Sequence, residues 1–376
     1  MSDAANLLFS TYQLGTVTLP NRIVVAPMCQ YSAVDGVAND WHLAHLGQFA
    51  IGGAGLVLVE ATGVSPEGRI TPGCVGLWTD EQEAALARIV RFNRENGSGG
   101  RFGIQLGHAG RKGSAQAPWL GGKPVAQADG GWQTVSSSDV PFGDGWPAPR
   151  PLDAAGLARV RDAFADSARR AVRAGFDVIE LHMAHGYLLH QFLSPFANRR
   201  EDAYGGSLEN RMRFPLEVLA AVRAAVDGAV PVGVRISATD YAAGGWSVPE
   251  ALVFAQVLKE AGAAFIHVSG GGAVPTARVP VAAGYQVGFA RRVRAETGAP
   301  TIAVGLITKP EDAERVLREG AADLVAVGRI VLDDPHWPHR AAAALGAELP
   351  YPRQYGYALS PGWRRYADSA WVEASE

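Results

Sequence analysis

Cysteine is scarce: Cys29 and Cys74 are the only two in 376 residues. Two thiols cannot build a disulfide framework or a four-thiolate iron–sulfur or zinc site, and they suit a reducing cytoplasm. Charge excess is also missing. The formal net charge of −3 gives no electrostatic case for a nucleic-acid partner. No apolar run approaches the length of a membrane span. The opening MSDAANLLFSTYQLG has neither the basic patch nor the apolar segment of a signal peptide, so a cytoplasmic location is expected. Internal repeats and low-complexity runs are absent as well.

What the chain does have is a rhythm. Eight brief, β-branched, nearly continuous apolar runs occur at Arg22–Met28, Leu56–Thr62, Arg101–His108, Asp177–His182, Val230–Ser237, Phe265–Gly270, Thr301–Ile307 and Asp323–Arg329. Such runs suit parallel strands buried on both faces. Amphipathic segments separate them. Three open on a capping-box pattern: Thr79 with Gln82, Ser247 with Glu250, and Thr308 with Glu311. A helix carrying Leu157, Val160, Phe164, Ala168 and Val172 stops at Gly175, and Gly262 and Gly320 end others. Eight strand–helix units predict an α/β fold of the (β/α)8 TIM-barrel type. A doubly wound sheet is the competitor, but no GxGxxG follows the first strand. The reading is one barrel domain over residues 1–346 and a Pro- and aromatic-rich tail over 347–376, wrapping a surface or reaching a subunit interface. A long excursion, 113–151, interrupts the third unit on the face where barrel active sites lie.

Polar residues just past each strand should converge at one mouth. The most distinctive stretch is His182-Met183-Ala184-His185-Gly186-Tyr187. Two imidazole N–H groups aimed at one point can hold an oxygen that gains negative charge. A nearby phenol, Tyr187, can protonate the adjacent carbon. That is equipment for reducing a C=C bond conjugated to a carbonyl, given a hydride carrier. Gly305 and Gly328 sit where barrels bind phosphate, and Arg329 adds a charge-assisted fork. Gln105 and Arg235 are polar residues inside apolar strands and need partners. Flavin mononucleotide (FMN) accounts for the set. Its phosphate would lie at Gly305, Gly328 and Arg329. Its pyrimidine edge would meet Gln105 and Arg235, and its N5/O4 edge would meet Cys29. Other readings stay open. His182 and His185 with Glu180 could ligate zinc, or both imidazoles could simply pack. His190 reads as structural, and His42 and His45 as packing or surface residues. Trp337 either walls the pocket or packs the last helix on the barrel. Cys74 has no assigned role.

Several blocks resemble, in order, those of the Old Yellow Enzyme family of flavin-dependent ene-reductases, in the thermophilic-like branch that includes xenobiotic reductase. They are APMCQYSA (26–33), EATGVSPEGRITPGC (60–74), IQLGHAGRK (104–112), HMAHGYLLHQFLSPFANRREDAYGGSLENRMRF (182–214) and VAVGR (325–329). The similarity runs from about Phe9 to about Gly346. It implies non-covalent FMN, NADPH (or NADH) as reductant, and ping-pong reduction of α,β-unsaturated carbonyls, with quinones or nitro compounds as further substrates. By position, Ala26, Pro27, Met28, Cys29, Ala61, Gln105, Arg235, Gly328 and Arg329 would contact FMN. Tyr31 and the His182–His185 segment would contact substrate, and Tyr187 would donate the proton. Some relatives place a tail arginine in a partner's site; here Trp363, Arg364 and Arg365 are the candidates. A homodimer or homotetramer is expected. A flavin barrel of the dihydroorotate dehydrogenase type would want lysines at the strand ends, which are not there. A flavin-binding redox sensor without turnover is the alternative from another class.

Overall fold

The eight apolar runs become eight strands in the computed structural model, which describes residues 6–359 and 363. They are β1 (Ile23–Val25), β2 (Leu56–Gly63), β3 (Arg101–Gly107), β4 (Val178–Met183), β5 (Val232–Ser237), β6 (Ile266–Ser269), β7 (Thr301–Ala303) and β8 (Leu324–Val327). Each pairs in parallel with the next, and β8 returns to β1, so the sheet closes. This is a (β/α)8 TIM barrel. The helices that follow the strands include α1 (Asp40–Ile51), α2 (Asp80–Asn96), α3 (Ala154–Ala174), α4 (Leu208–Val226), α5 (Val248–Glu260), α6 (Val287–Thr297) and α7 (Pro310–Arg318). None of the described helices is long and apolar enough to cross a membrane.

Side chains alternate between two environments because a strand has a period of two. Val57 and Val59 of β2, and Val325 and Val327 of β8, face the helices and join the large outer core. Leu56, Leu58, Leu324 and Ala326 face the barrel axis and join a smaller inner core. An antiparallel hairpin, Tyr12–Leu14 with Val17–Leu19, adds Leu14 and Leu19 to that inner core. Gly15 at its turn lies against Pro231 and Ala264, so the hairpin stops the end of the barrel where strands begin. No strand was expected before Arg22.

Local signals largely hold. Thr79 and Ser247 form capping boxes with Gln82 and Glu250. Gly175 closes α3 in the left-handed region, φ 92°. The third box does not form. Lys309, not Thr308, is the N-cap of α7, without a side-chain cap bond. Pro310 takes the first helical position, where its fixed φ and missing N–H fit best, and this moves the helix start one residue along. The excursion contains two short 3-10 turns (Pro118–Leu120 and Gln127–Asp129) and two two-residue strands (Val135–Ser136 and Arg150–Pro151). Arg111 fastens it: its guanidinium donates to the carbonyls of Val140, Pro141 and Ala273.

The inner core has no spare room. A Cβ on Gly233 would lie 2.3 Å from the Phe265 ring. Gly233→Ala should therefore cost about 1–3 kcal/mol by overpacking, read as a lower urea midpoint. Phe265→Leu in the same chain should recover part of the loss. An unchanged midpoint for Gly233→Ala would contradict this packing.

Candidate active site

Toward their C-terminal ends, the inward positions of β3 to β6 turn polar, beyond the apolar Val178 at the start of β4. Gln105, Glu180 and His182, Arg235 and Ser237, and His267 and Ser269 all alternate with residues of the outer core. Register places Gln105 beside Glu180, and Arg235 beside both His182 and His267. On the other side, Ala26 and Ala326 are small. A polar wall thus faces an open wall at the mouth.

A cavity of about 290 Å³ occupies that mouth. Ala26, Pro27, Met28, His185, Arg235, Gly305, Gly328 and Arg329 all line it. A Cβ at Gly328 would meet only the Met28 sulfur, at 3.6 Å. Side-chain packing therefore leaves space at Gly328, on the cavity wall. Gly305 is explained by its backbone, since φ is 134°. Arg329 is exposed at the rim. Arg235 is 8% exposed, and its Nε has no partner. A buried guanidinium with an unpaired Nε, in a residue that lines the cavity, fits a ligand acceptor such as the N1–C2=O2 edge of a flavin. Tyr285 and Gln286, just before α6, also line the cavity and were not anticipated. Nothing in GYQVGF marks them.

His182 Nδ1 accepts the Ala184 N–H at 3.2 Å, so a neutral ring carries its proton on Nε2. That Nε2 lies 3.3 Å from His185 Nδ1. The other nitrogen of His185 is 2.8 Å from Ser269 Oγ. Burial, followed by the charge of Arg235, pushes both imidazoles well below their ordinary value, so both are neutral. A neutral ring has one N–H. The two nitrogens are therefore within hydrogen-bond distance of each other, and His185 offers a donor there only when Ser269 donates to its Nε2. Ser269 can instead donate to the Ile236 carbonyl, at 3.2 Å. Sequence reading missed this dependence on Ser269.

The turn that carries His185 is held from several sides. His185 is left-handed, φ 58°. Its N–H donates to Ser237 Oγ at 2.9 Å, and Lys112 Nζ donates to its carbonyl at 2.8 Å and to Gly272 O at 2.9 Å. Gly186 is obligatory, because a Cβ there would lie 2.1 Å from Gly272 O. His190 accepts the Gly186 N–H on Nδ1 and faces Asp240 with Nε2, so it is structural, as read. Lys112 also lies 4.9 Å from the centre of the Tyr187 ring. Burial, then Arg111, brings its ammonium down to about 7. Tyr187 meets His182 edge-on at 4.9 Å. Burial, then Cys29, raises its phenol well above the ordinary value, which keeps the proton on it.

Cys29 and Tyr31 follow β1. Burial and then Glu60 push the Cys29 thiol up, so it stays a thiol. Tyr31, left-handed at φ 49°, meets Trp119 of the excursion edge-on at 5.8 Å. Ala61 follows an irregularity in the pairing of β2 and pairs in register with Gln105. It lines a small neighbouring cavity with His182 and Tyr187. At that irregularity Glu60 accepts the Gln30 N–H at 3.0 Å and faces His42 at 3.4 Å. His42 is thus a buried partner, and His45 packs edge-on against Phe49. Cys74 is buried and accepts the Thr71 N–H.

Trp337 does not line the mouth cavity. It is 4% exposed and donates to the Thr308 carbonyl at 2.8 Å, packing the helix after β8 onto the barrel. Gln105 is also away from this lining and donates to Glu180. Arg364 and Arg365 lie outside the described residues; Trp363 is half-buried. Among the described residues no three His, Cys, Asp or Glu side chains are grouped to hold a metal. Glu180 is bonded to His267 and Gln105.

Comparison with known proteins adds an independent line. The family model for the NADH:flavin oxidoreductase / NADH oxidase family matches residues 7–348. An NADPH dehydrogenase of Geobacillus thermodenitrificans is 46% identical over 360 residues, covering 95% of this chain and 99% of its own. One from Listeria monocytogenes serotype 4a is 46% identical over 353 residues, covering 93% and 98%. The solved structure of morphinone reductase is 33% identical, with a TM-score of 0.75, over 93% of this chain and 92% of its own. The chain is an enzyme of the NADH:flavin oxidoreductase / NADH oxidase family, the Old Yellow Enzyme family whose sequence blocks it carries.

Proposed function

We propose that the chain reduces the C=C bond of α,β-unsaturated carbonyl compounds, with NADPH as reductant and FMN as the bound cofactor, in a ping-pong cycle. The observation that carries this reading is the 3.3 Å approach of His182 Nε2 and His185 Nδ1 beside the free Arg235 Nε. Bound FMN would supply the hydride chemistry that links the nicotinamide to the β-carbon of the alkene.

The residues of this chain do the rest. Gly305, Gly328 and Arg329 would hold the phosphate of FMN, and Ala26, Pro27, Met28 and Cys29 would hold its ring. Cys29 would act there as a neutral thiol. Ala61, Gln105 and Arg235 would complete the ring site. His182 and His185 hold the carbonyl oxygen of the substrate as it gains charge. Being neutral, they act as hydrogen-bond donors and leave the proton transfer to another group. Tyr187 supplies the proton at the α-carbon. Tyr31 and Trp119 border the substrate. Enones are the substrate class these donors fit, and quinones and nitro compounds present a similar oxygen. A redox sensor without turnover is the alternative.

Stopped-flow spectroscopy separates the two. NADPH should bleach the bound flavin and cyclohexenone should restore it; a flavin that neither changes would favour the sensor. His185→Ala should slow the enone step by about 10²–10³ and leave reduction by NADPH within a few-fold. Equal slowing of both steps would contradict the role of the imidazole. Tyr187→Phe should slow the enone step by about 10². Because the phenol is shifted upward, the wild-type enone step should show no loss from its ionisation between about pH 6 and 9. A fall attributable to Tyr187 in that range would count against it as proton donor.

A further inference from the structure

Glu180 sits inside the barrel, fully buried, with no solvent to stabilise its charge. Two donors meet it. Gln105 Nε2 lies 2.6 Å from Oε1, and His267 Nδ1 lies 2.8 Å from Oε2. Arg235 stands on the strand between Glu180 and His267, in register with His267. Burial works to raise the Glu180 carboxyl, but His267, Arg235 and Gln105 outweigh it and hold it below its ordinary value. Burial, then Arg235, lowers His267, which therefore donates from Nδ1 as a neutral ring. None of these contacts touches substrate.

We propose that Glu180, held by His267, is a positioning residue for FMN: it fixes the orientation of Gln105, and its charge offsets that of Arg235 beneath the pyrimidine ring. This deepens the reading that FMN binds at Gln105 and Arg235, and rests on it.

Two consequences follow from the chemistry. A carboxylate only accepts, so it must face the NH2 of Gln105. The amide oxygen is then left to accept from the ring N–H of the flavin, and the amide cannot turn over without leaving Glu180 facing an oxygen. The second consequence is electrostatic. Reduced FMN gains negative charge near N1–C2=O2, and an unopposed Arg235 would bind it far more tightly than the oxidised form. Tighter holding of the reduced form makes it a weaker hydride donor. A negative charge one strand away limits that preference. The preference is therefore set by the pair, with Arg235 favouring the reduced form and Glu180 restraining it.

The test is the ratio of oxidised to reduced FMN affinity, obtained from anaerobic reductive titration of the FMN-bound protein without nucleotide or enone. Glu180→Gln removes the charge and should shift the ratio by about tenfold toward reduced FMN, taking the effective dielectric of a protein interior. His267→Leu removes a donor, which leaves the buried carboxyl to bind a proton. It should shift the ratio in the same direction. His267→Gln keeps a donor and should stay within about threefold of wild type. If Glu180→Gln does not fold, the two His267 variants decide. A ratio unchanged in both Glu180→Gln and His267→Leu, with FMN still bound, would overturn the inference and leave the proposed reaction standing. A wild-type protein that binds no FMN would instead overturn the reading beneath it.

Discussion

The period-two alternation of a closed sheet governs this molecule. In a barrel every second side chain points at the axis, where water is scarce. On β1, β2 and β8 those positions hold Val24, Leu56, Leu58, Leu324 and Ala326, which pack on one another. On β3 to β6 they hold Gln105, Glu180, His182, Arg235 and His267. Buried polar groups must satisfy each other or a ligand. Glu180 is satisfied by its neighbours. The Arg235 Nε is not, and Arg235 lines the cavity. The site follows from that remainder, a charged donor left unpaired inside a well-packed barrel.

The rest of the mouth serves to keep a few atoms in place. Lys112 and Ser237 hold the left-handed turn at His185, and Lys112 ties it to the Gly272 carbonyl. Glu60, turned by an irregularity in β2, holds the Cys29–Gln30 segment. Arg111 draws the excursion over the same face, which brings Trp119 onto Tyr31. These contacts use backbone carbonyls and amides, so the geometry is built from main-chain groups and a small number of buried cations.

All eight strands and several helix boundaries were legible in the sequence, because buried strands and capping boxes are local patterns. The glycine–arginine pair at 328–329 and the HMAHGY segment were legible for the same reason: each lies in one short stretch at a strand end. Thr308 failed because Pro310 competes for the same helix start. Trp337 could be read two ways, since an indole after the last strand can face the mouth or the barrel, and its partner Thr308 is distant in sequence. The partnership of Glu180 with His267 could not be read, because it joins strands 87 residues apart. One signal was available. GIQLG places one polar residue in an apolar strand, VIELH, VGVRIS and FIHVS each place two at alternate positions, and aligning them by strand order would have brought these groups together. The tautomer requirement at His185 depends on a hydroxyl rotor at Ser269 and has no sequence signature.

An equilibrium titration of the flavin-free protein with FMN, followed by fluorescence, tests most directly whether this cavity holds one flavin through Arg235. Binding should saturate at one FMN per chain, with Arg235→Met weakening it by about tenfold or more, as expected for loss of a charge-assisted bond. Saturation at wild-type affinity in Arg235→Met, or no binding by the unaltered chain, would contradict that assignment.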